Sequence, residues 1–170
     1  MEKKFNTLCE SLFSRLDNGE NLVLSLNGEN SQFVRFNNAS IRQTGLVDDA
    51  DPGLKFIAND RTCNGGFTIS GDSDLDLKRG LDEIERMRGE SKEIPEDPFL
   101  VMPTDSESSR ELKTANGLPF EDAVDAILPA MGGTDFVGIL ANGKMYRGSA
   151  NNLGQKHWFE TESFLSLIHI

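Results

Sequence analysis

The chain has 170 residues, 28 of them acidic and 17 basic, for a formal net charge of −11. No run of basic residues interrupts that acidity. This argues against nucleic acid and anionic membrane as partners, because lysine and arginine contacts supply most of the non-specific affinity for a phosphate backbone. At 37% hydrophobic and 26% charged residues, the composition is that of a globular chain and not of a disordered one.

Met1-Glu2-Lys3-Lys4-Phe5 leads into polar residues with no apolar core of a signal peptide. No run approaches the ~20 apolar residues of a membrane span. The sequence-level expectation is a cytoplasmic protein with no membrane partner. Its two cysteines, Cys9 and Cys63, form no CxxC pair and are expected as reduced thiols.

Phe5, Leu8, Cys9, Leu12, Phe13 and Leu16 recur at steps of three and four, which predicts an amphipathic helix stopped at Asn18-Gly19. Leu22, Leu24 and Leu26 then alternate as in a strand, and Asn27-Gly28 reads as a turn. Ser31 to Phe36 and Ala39 to Gly45 are expected as two strands around Asn37-Asn38. A further hairpin follows, with Leu54, Phe56 and Ala58 on one face, a turn at Asn59-Asp60, and a return from Cys63 to Ile69. Gly65-Gly66 marks a bulge or a close backbone approach.

Asp72 and Ser73 read as caps of a helix carrying Leu77, Leu81, Ile84 and Met87. Polar, proline-bearing sequence makes 89–118 a long loop, within which Pro98 to Pro103 is apolar enough to pack back on the domain. Pro119 opens a third helix with Phe120, Ala123, Val124, Ile127 and Leu128 as its stripe, ended by Gly132-Gly133. Phe136 to Leu140 is expected as a strand, Asn142-Gly143 as a hairpin turn, Lys144 to Gly148 as the return, and His157 to Phe164 as a last strand. The fold class expected from this order is α+β: a mainly antiparallel, hairpin-rich sheet packed with about three helices.

Chemistry-bearing patterns are sparse. The two histidines, His157 and His169, stand in no HExxH-like pair, and no GxSxG elbow accompanies a serine. Asp72-x-Asp74-x-Asp76 resembles the opening of a calcium loop. Leu77 stands where that loop needs glycine, although Glu83 matches its twelfth position, so helix capping is the better reading. The most informative stretch is Phe33-Val34-Arg35-Phe36-Asn37-Asn38-Ala39-Ser40-Ile41-Arg42-Gln43-Thr44-Gly45. Arg35 and Arg42 could cover the outer sheet face with their stems. Alternatively Arg35, Asn37, Arg42 and Gln43 form a peptide or partner interface.

Val34 to Val47 resembles the N-terminal signature xRFNNxxIRQTGxV of the TldD/PmbA family, the metallopeptidase or modulator-of-gyrase type. Gly143 to Thr161 is similar to the family segment that precedes the catalytic half, and the resemblance covers about residues 1–164. It implies the N-terminal, non-catalytic part of a zinc metallopeptidase acting on unfolded or extended peptides within a two-subunit shell. The implied partners are a homologous subunit, in a homo- or heterodimer, and a peptide substrate. The implied zinc is carried by an HExxxH helix and a distant cysteine in the C-terminal half. Neither is in this sequence, so no catalytic or metal residue is carried over. Some relatives are non-catalytic partner subunits, and a binding module without hydrolytic activity is the alternative. Resemblance stops after Phe164, and the expectation is that residues 165–170 are a non-native tail derived from a sequencing adapter. Uncovered apolar surface is expected around Trp158, Phe159 and Phe164.

Overall fold

The computed structural model describes residues 1–102, 106–132 and 134–169, and the side chain of Phe120 lies outside that description. In chain order it contains α1 (Glu2–Phe13), β1 (Asn21–Asn37), β2 (Ser40–Ala58), β3 (Arg61–Gly66), α2 (Ser73–Ser91) and β4 (Ser108–Lys113). Two 3₁₀ turns then flank the short α3 (Ala123–Ile127), and β5 (Val137–Asn151) and β6 (Lys156–His169) follow. The strands form a six-stranded sheet in the order β3-β2-β1-β5-β6-β4. The fold is α+β, as expected.

Directions follow from the contacts. Residues of β2 and β3 pair antiparallel, Gly53 opposite Gly66 and Ala58 opposite Arg61. The Leu22 N–H donates to Asn152 Oδ1 while Gly143 lies against Ser31, so β1 and β5 also run antiparallel. The strand β4 differs. Lys156 N–H donates to Glu107 O, and Ser109 Oγ meets His157 Nδ1 at 2.9 Å, so β4 ascends alongside β6 in the same direction. The sheet is therefore mixed but mostly antiparallel.

The chain divides into two compact units. The first comprises residues 1–27, 50–111 and 146–159. Its core gathers Phe5, Leu8 and Leu12 of α1, Leu22, Leu24 and Leu26 of β1, Leu54 and Phe56 of β2, Ile84 and Met87 of α2, and Tyr146 and Trp158. The sequence explains the close packing of the two helices. Gly80 has no Cβ, and the Leu12 methyls sit about where one would be, 2.9 and 3.0 Å from that position. Asp72 caps α2, accepting from the N–H groups of Asp74 and Leu75 at 3.0 Å. Asp76 is buried and accepts from Ser70 N–H, Ser70 Oγ and Gly71 N–H. These two aspartates are thus committed to the helix start.

The second unit comprises residues 28–49, 112–145 and 160–170. Its core is smaller: Val34 and Phe36 of β1, Ala123, Met131, Phe136 and Leu140. The rings of Phe36 and Phe136 lie 4.9 Å apart.

Several boundaries differ from the sequence reading. Asn27-Gly28 and Asn142-Gly143 are not turns, because β1 and β5 run straight through them. The strand β2 likewise continues through Pro52-Gly53. The reversal after β5 lies at residues 152–155, where Gly154 has φ +111. The 89–118 loop is shorter than expected, since α2 extends to Ser91 and β4 occupies Ser108–Lys113. Phe99 and Val101 do not pack back; they are 87% and 82% exposed. Pro103 and Gly133 lie outside the described residues. Trp158 is buried, so of the expected apolar patch only Phe164 is largely uncovered. The strand β6 runs on through Leu165–His169.

The Asn59-Asp60 turn falls where expected, and the turn expected at Asn37-Asn38 lies one residue later, at Asn38-Ala39. Asn38 and Ala39 have φ of 50° and 49°, and Asn59 and Asp60 have 50° and 56°. Left-handed backbone at both central residues matches the twist of a two-residue hairpin and favours Asn followed by Gly. Asp60 is exposed and occupies the glycine position. Asp60→Gly should therefore raise stability by about 0.5 kcal/mol, whereas Asp60→Val should lower it by about 1–2 kcal/mol. Thermal unfolding of both variants checks the pair of signs.

Candidate functional site

Within the first unit, chemistry is spent on packing. Cys9 and Cys63 are both free and buried. Burial pushes the Cys9 thiol up to about 12 and the Cys63 thiol upward as well, so both stay protonated and poorly nucleophilic at neutral pH. His157 is engaged with Ser109. Among the described residues no group of three or more His, Cys, Asp or Glu is placed to hold a metal ion.

The hairpin residues singled out from sequence all lie in the second unit and are exposed. Arg35 Nη1 donates to Gln43 Oε1 at 3.4 Å, and the Arg35 guanidinium stands 5.3 Å from the centroid of the Phe33 ring. That ring lies over Gly45, where an added Cβ would come within 2.5 Å of it. Arg35 and Gln43 are therefore brought together on a Phe33 platform. Asn37 and Arg42 stand on the same hairpin without joining that contact.

A cleft lies elsewhere in the second unit. It measures about 840 Å³ and is lined by residues 30–32 of β1, Leu46 of β2, 142–144 of β5, 162–164 of β6, and residues 115–118. None of Arg35, Asn37, Arg42 or Gln43 lines it. The floor is sheet, and its close fit depends on Gly143: a Cβ there would strike Asn30 O and the Ser31 Cα. The wall, residues 115–118, is tied down by polar contacts. Ala115 N–H donates to Glu162 Oε2 at 2.7 Å. Gln32 Nε2 and Asn142 Nδ2 both donate to Leu118 O, at 3.3 and 2.9 Å. Beside them Lys144 Nζ pairs with Glu160 Oε1 at 3.0 Å.

Gln32 and Asn142 are only 5% and 8% exposed, and their amide oxygens, Oε1 and Oδ1, are buried without a hydrogen-bond partner among the described residues. Leaving such a group unpaired costs about 1–3 kcal/mol. The arrangement offers amide donors, amide acceptors and a carboxylate to a polar main chain. Sequence reasoning missed Gln32, Asn142 and Glu162. A usable signal existed for the first, because Gln32 falls in the buried phase of β1 together with Val34 and Phe36.

No protein-family model matches the sequence, and no curated protein does. Solved structures do match in fold. One is a candidate modulator of a DNA gyrase from Thermotoga maritima, with 11% identity over 96% of this chain and a TM-score of 0.66. Another is TldE from Thermococcus kodakarensis, with 14% identity over 97% of this chain and a TM-score of 0.62. A third is a candidate modulator of DNA gyrase from Bacteroides thetaiotaomicron, with 13% identity over 95% of this chain and a TM-score of 0.54. This chain spans 39%, 39% and 38% of their respective lengths. The fold is thus that of part of a TldD/PmbA-type protein, in agreement with the resemblance read from Val34–Val47 and Gly143–Thr161. No helix among the described residues is long and apolar enough to cross a membrane.

Proposed function

We propose that this chain is the N-terminal, non-catalytic part of a cytoplasmic TldD/PmbA-like zinc metallopeptidase acting on unfolded or extended peptides, assembled with a homologous subunit. The observation that carries the reading is the coincidence of the Val34–Val47 motif with a fold like that of TldE. Sheet geometry supports a peptide-handling role. The strand β3 pairs with β2 only from Gly53 to Ala58. Since β3 is the outer neighbour of β2, the outer edge of β2 from Ser40 to Asp49 has no strand beside it in the sheet order among the described residues. An open edge of this kind can accept an extended chain by main-chain pairing, and Arg42 and Gln43 lie along it.

Among the described residues, no donor set fits zinc. Asp72 and Asp76 serve the start of α2, His157 meets Ser109, and both thiols are buried. In this reading, zinc belongs to residues outside the chain.

Two measurements test the proposal. The parent gene should encode HExxxH downstream of this segment; a parent without it would be a non-catalytic partner subunit. The isolated chain should show no chelator-sensitive hydrolysis of an unfolded peptide. Zinc-dependent cleavage by this chain alone would overturn its assignment as the non-catalytic part.

A further inference from the structure

Three polar groups of the cleft in the second unit, on Gln32, Asn142 and Glu162, address main chain. Glu162 takes the Ala115 N–H, and the Gln32 and Asn142 amides both take the Leu118 carbonyl. Ala115, Asn116 and Gly117 are exposed and Leu118 is half-buried, so no side chain of the segment is fully enclosed. Residues 115–117 are therefore held mainly through main chain, while the Leu118 side chain also packs against the second unit's core. The segment satisfies the cleft incompletely. One carbonyl serves two amide donors, and the oxygens of the same two amides remain buried without a donor among the described residues. An amide oxygen in that position carries its full desolvation penalty, and a hydrogen-bond donor such as a peptide N–H relieves it.

We propose that this cleft is a groove for the main chain of an extended peptide, and that residues 115–118 are a resident occupant which such a peptide displaces. The inference rests on the peptide-handling reading above and names the place where it happens. In the exchange, an incoming carbonyl takes the Gln32 and Asn142 donors and an incoming N–H takes Glu162. Further N–H groups reach the two amide oxygens once the resident segment lifts. Leu46 and Phe164, 72% and 65% exposed at the margin, give apolar contact to whatever side chains arrive. The ligand class is an unfolded peptide recognised through its backbone.

The test is fluorescence polarisation of the full chain with a labelled, unstructured peptide of Gly, Ala, Ser and Asn. Saturable binding is expected. Ala115→Pro deletes the donor of the resident segment and leaves the groove intact. It should tighten binding by about tenfold, because apparent affinity scales with the fraction of molecules whose groove is open. Gln32→Leu combined with Asn142→Leu should abolish binding, and so should N-methylation of alternate amides in the peptide. Equal binding by wild type and Ala115→Pro, or equal binding of the N-methylated peptide, would show a fixed structural strap and overturn the proposal. Should the double variant fail to fold, hydrogen exchange on the wild type decides: added peptide must release the Ala115 N–H, and unchanged protection refutes the exchange. The assay uses no metal, so a negative result leaves the metallopeptidase reading of the parent standing. A parent without HExxxH likewise leaves this groove untouched.

Discussion

Phe5→Ala should lower stability by about 3–5 kcal/mol, a large share of the 5–15 kcal/mol by which proteins of ordinary size are stable. Phe5 is fully buried, and its ring stands 6.0 Å from that of Trp158. Gly148 also borders the ring: an added Cβ there would lie 2.8 Å from it. The ring thus fills space bounded by bare backbone and by an indole, and that space cannot collapse easily once emptied. The helix it anchors has only 12 residues, too few to persist alone, so α1 depends on this docking. Urea unfolding followed by the fluorescence of the single tryptophan, Trp158, reads the loss directly. Gly148→Ala should cost about 1–3 kcal/mol by overpacking. The double variant should be more stable than the sum of the two losses allows, because the new methyl occupies part of what Phe5 vacates. Strictly additive losses would refute this account of the pocket.

The same parity that buries residues along a strand explains which sequence expectations failed. In β1 the buried residues are Leu22, Leu24, Leu26, Gly28, Gln32, Val34 and Phe36, all on even positions across Asn27-Gly28. In β5, Leu140, Asn142, Tyr146, Gly148 and Ala150 keep even parity across Asn142-Gly143. A two-residue hairpin at either place would have reversed the chain and broken that phase. Local turn propensity suggested reversals, but unbroken alternation was the stronger signal. The Asn-Gly pair in β5 has another use: Asn142 reaches Leu118 O from a buried position, and Gly143 allows the β1 backbone to pass. Gly65-Gly66 was legible as a bulge or a close backbone approach, and Gly66 is the latter, since a Cβ there would lie 2.7 Å from Pro52 O. The strand β4 was not legible. Its six residues, Ser108–Lys113, are all exposed and carry no alternation, so only its pairing with β6 makes it a strand. The cleft was hidden for a related reason: its walls come from five separated stretches of chain, and its recognition groups are amides, which carry no motif.

The second large effect concerns Arg88. It lies in the last turn of α2 and grips Glu20 with two hydrogen bonds, Nε to Oε1 at 2.7 Å and Nη2 to Oε2 at 2.6 Å. It also donates to Arg15 O at 2.8 Å and pairs with Glu85. Glu20 further accepts from Asp17 N–H at 2.8 Å, so one carboxylate ties the turn between α1 and β1 to α2. The two side chains are only 19% and 11% exposed. Arg88→Ala would leave the Glu20 carboxylate largely desolvated and without its cation, at a cost of about 3 kcal/mol. Arg88→Lys should recover only part of this, because an ammonium cannot grip both oxygens. The Arg88 hydrogen bonds hold the Glu20 carboxyl below its ordinary value, aided by the Asp17 N–H and opposed by burial. A lowered folded-state value means that the stabilisation is fully present above the ordinary carboxylate range and is lost as pH falls through the folded value. The stability gap between wild type and Arg88→Ala should accordingly be widest near neutrality and shrink in acid. Glu2 and Glu83 are also held low, mainly by their hydrogen bonds to Arg110 and Arg86. They retain those partners in both proteins, so their contribution cancels in the difference. Urea titrations of the pair from neutral pH to about pH 3 measure the gap, and a gap independent of pH would mean that the Glu20 carboxylate is not what Arg88 stabilises.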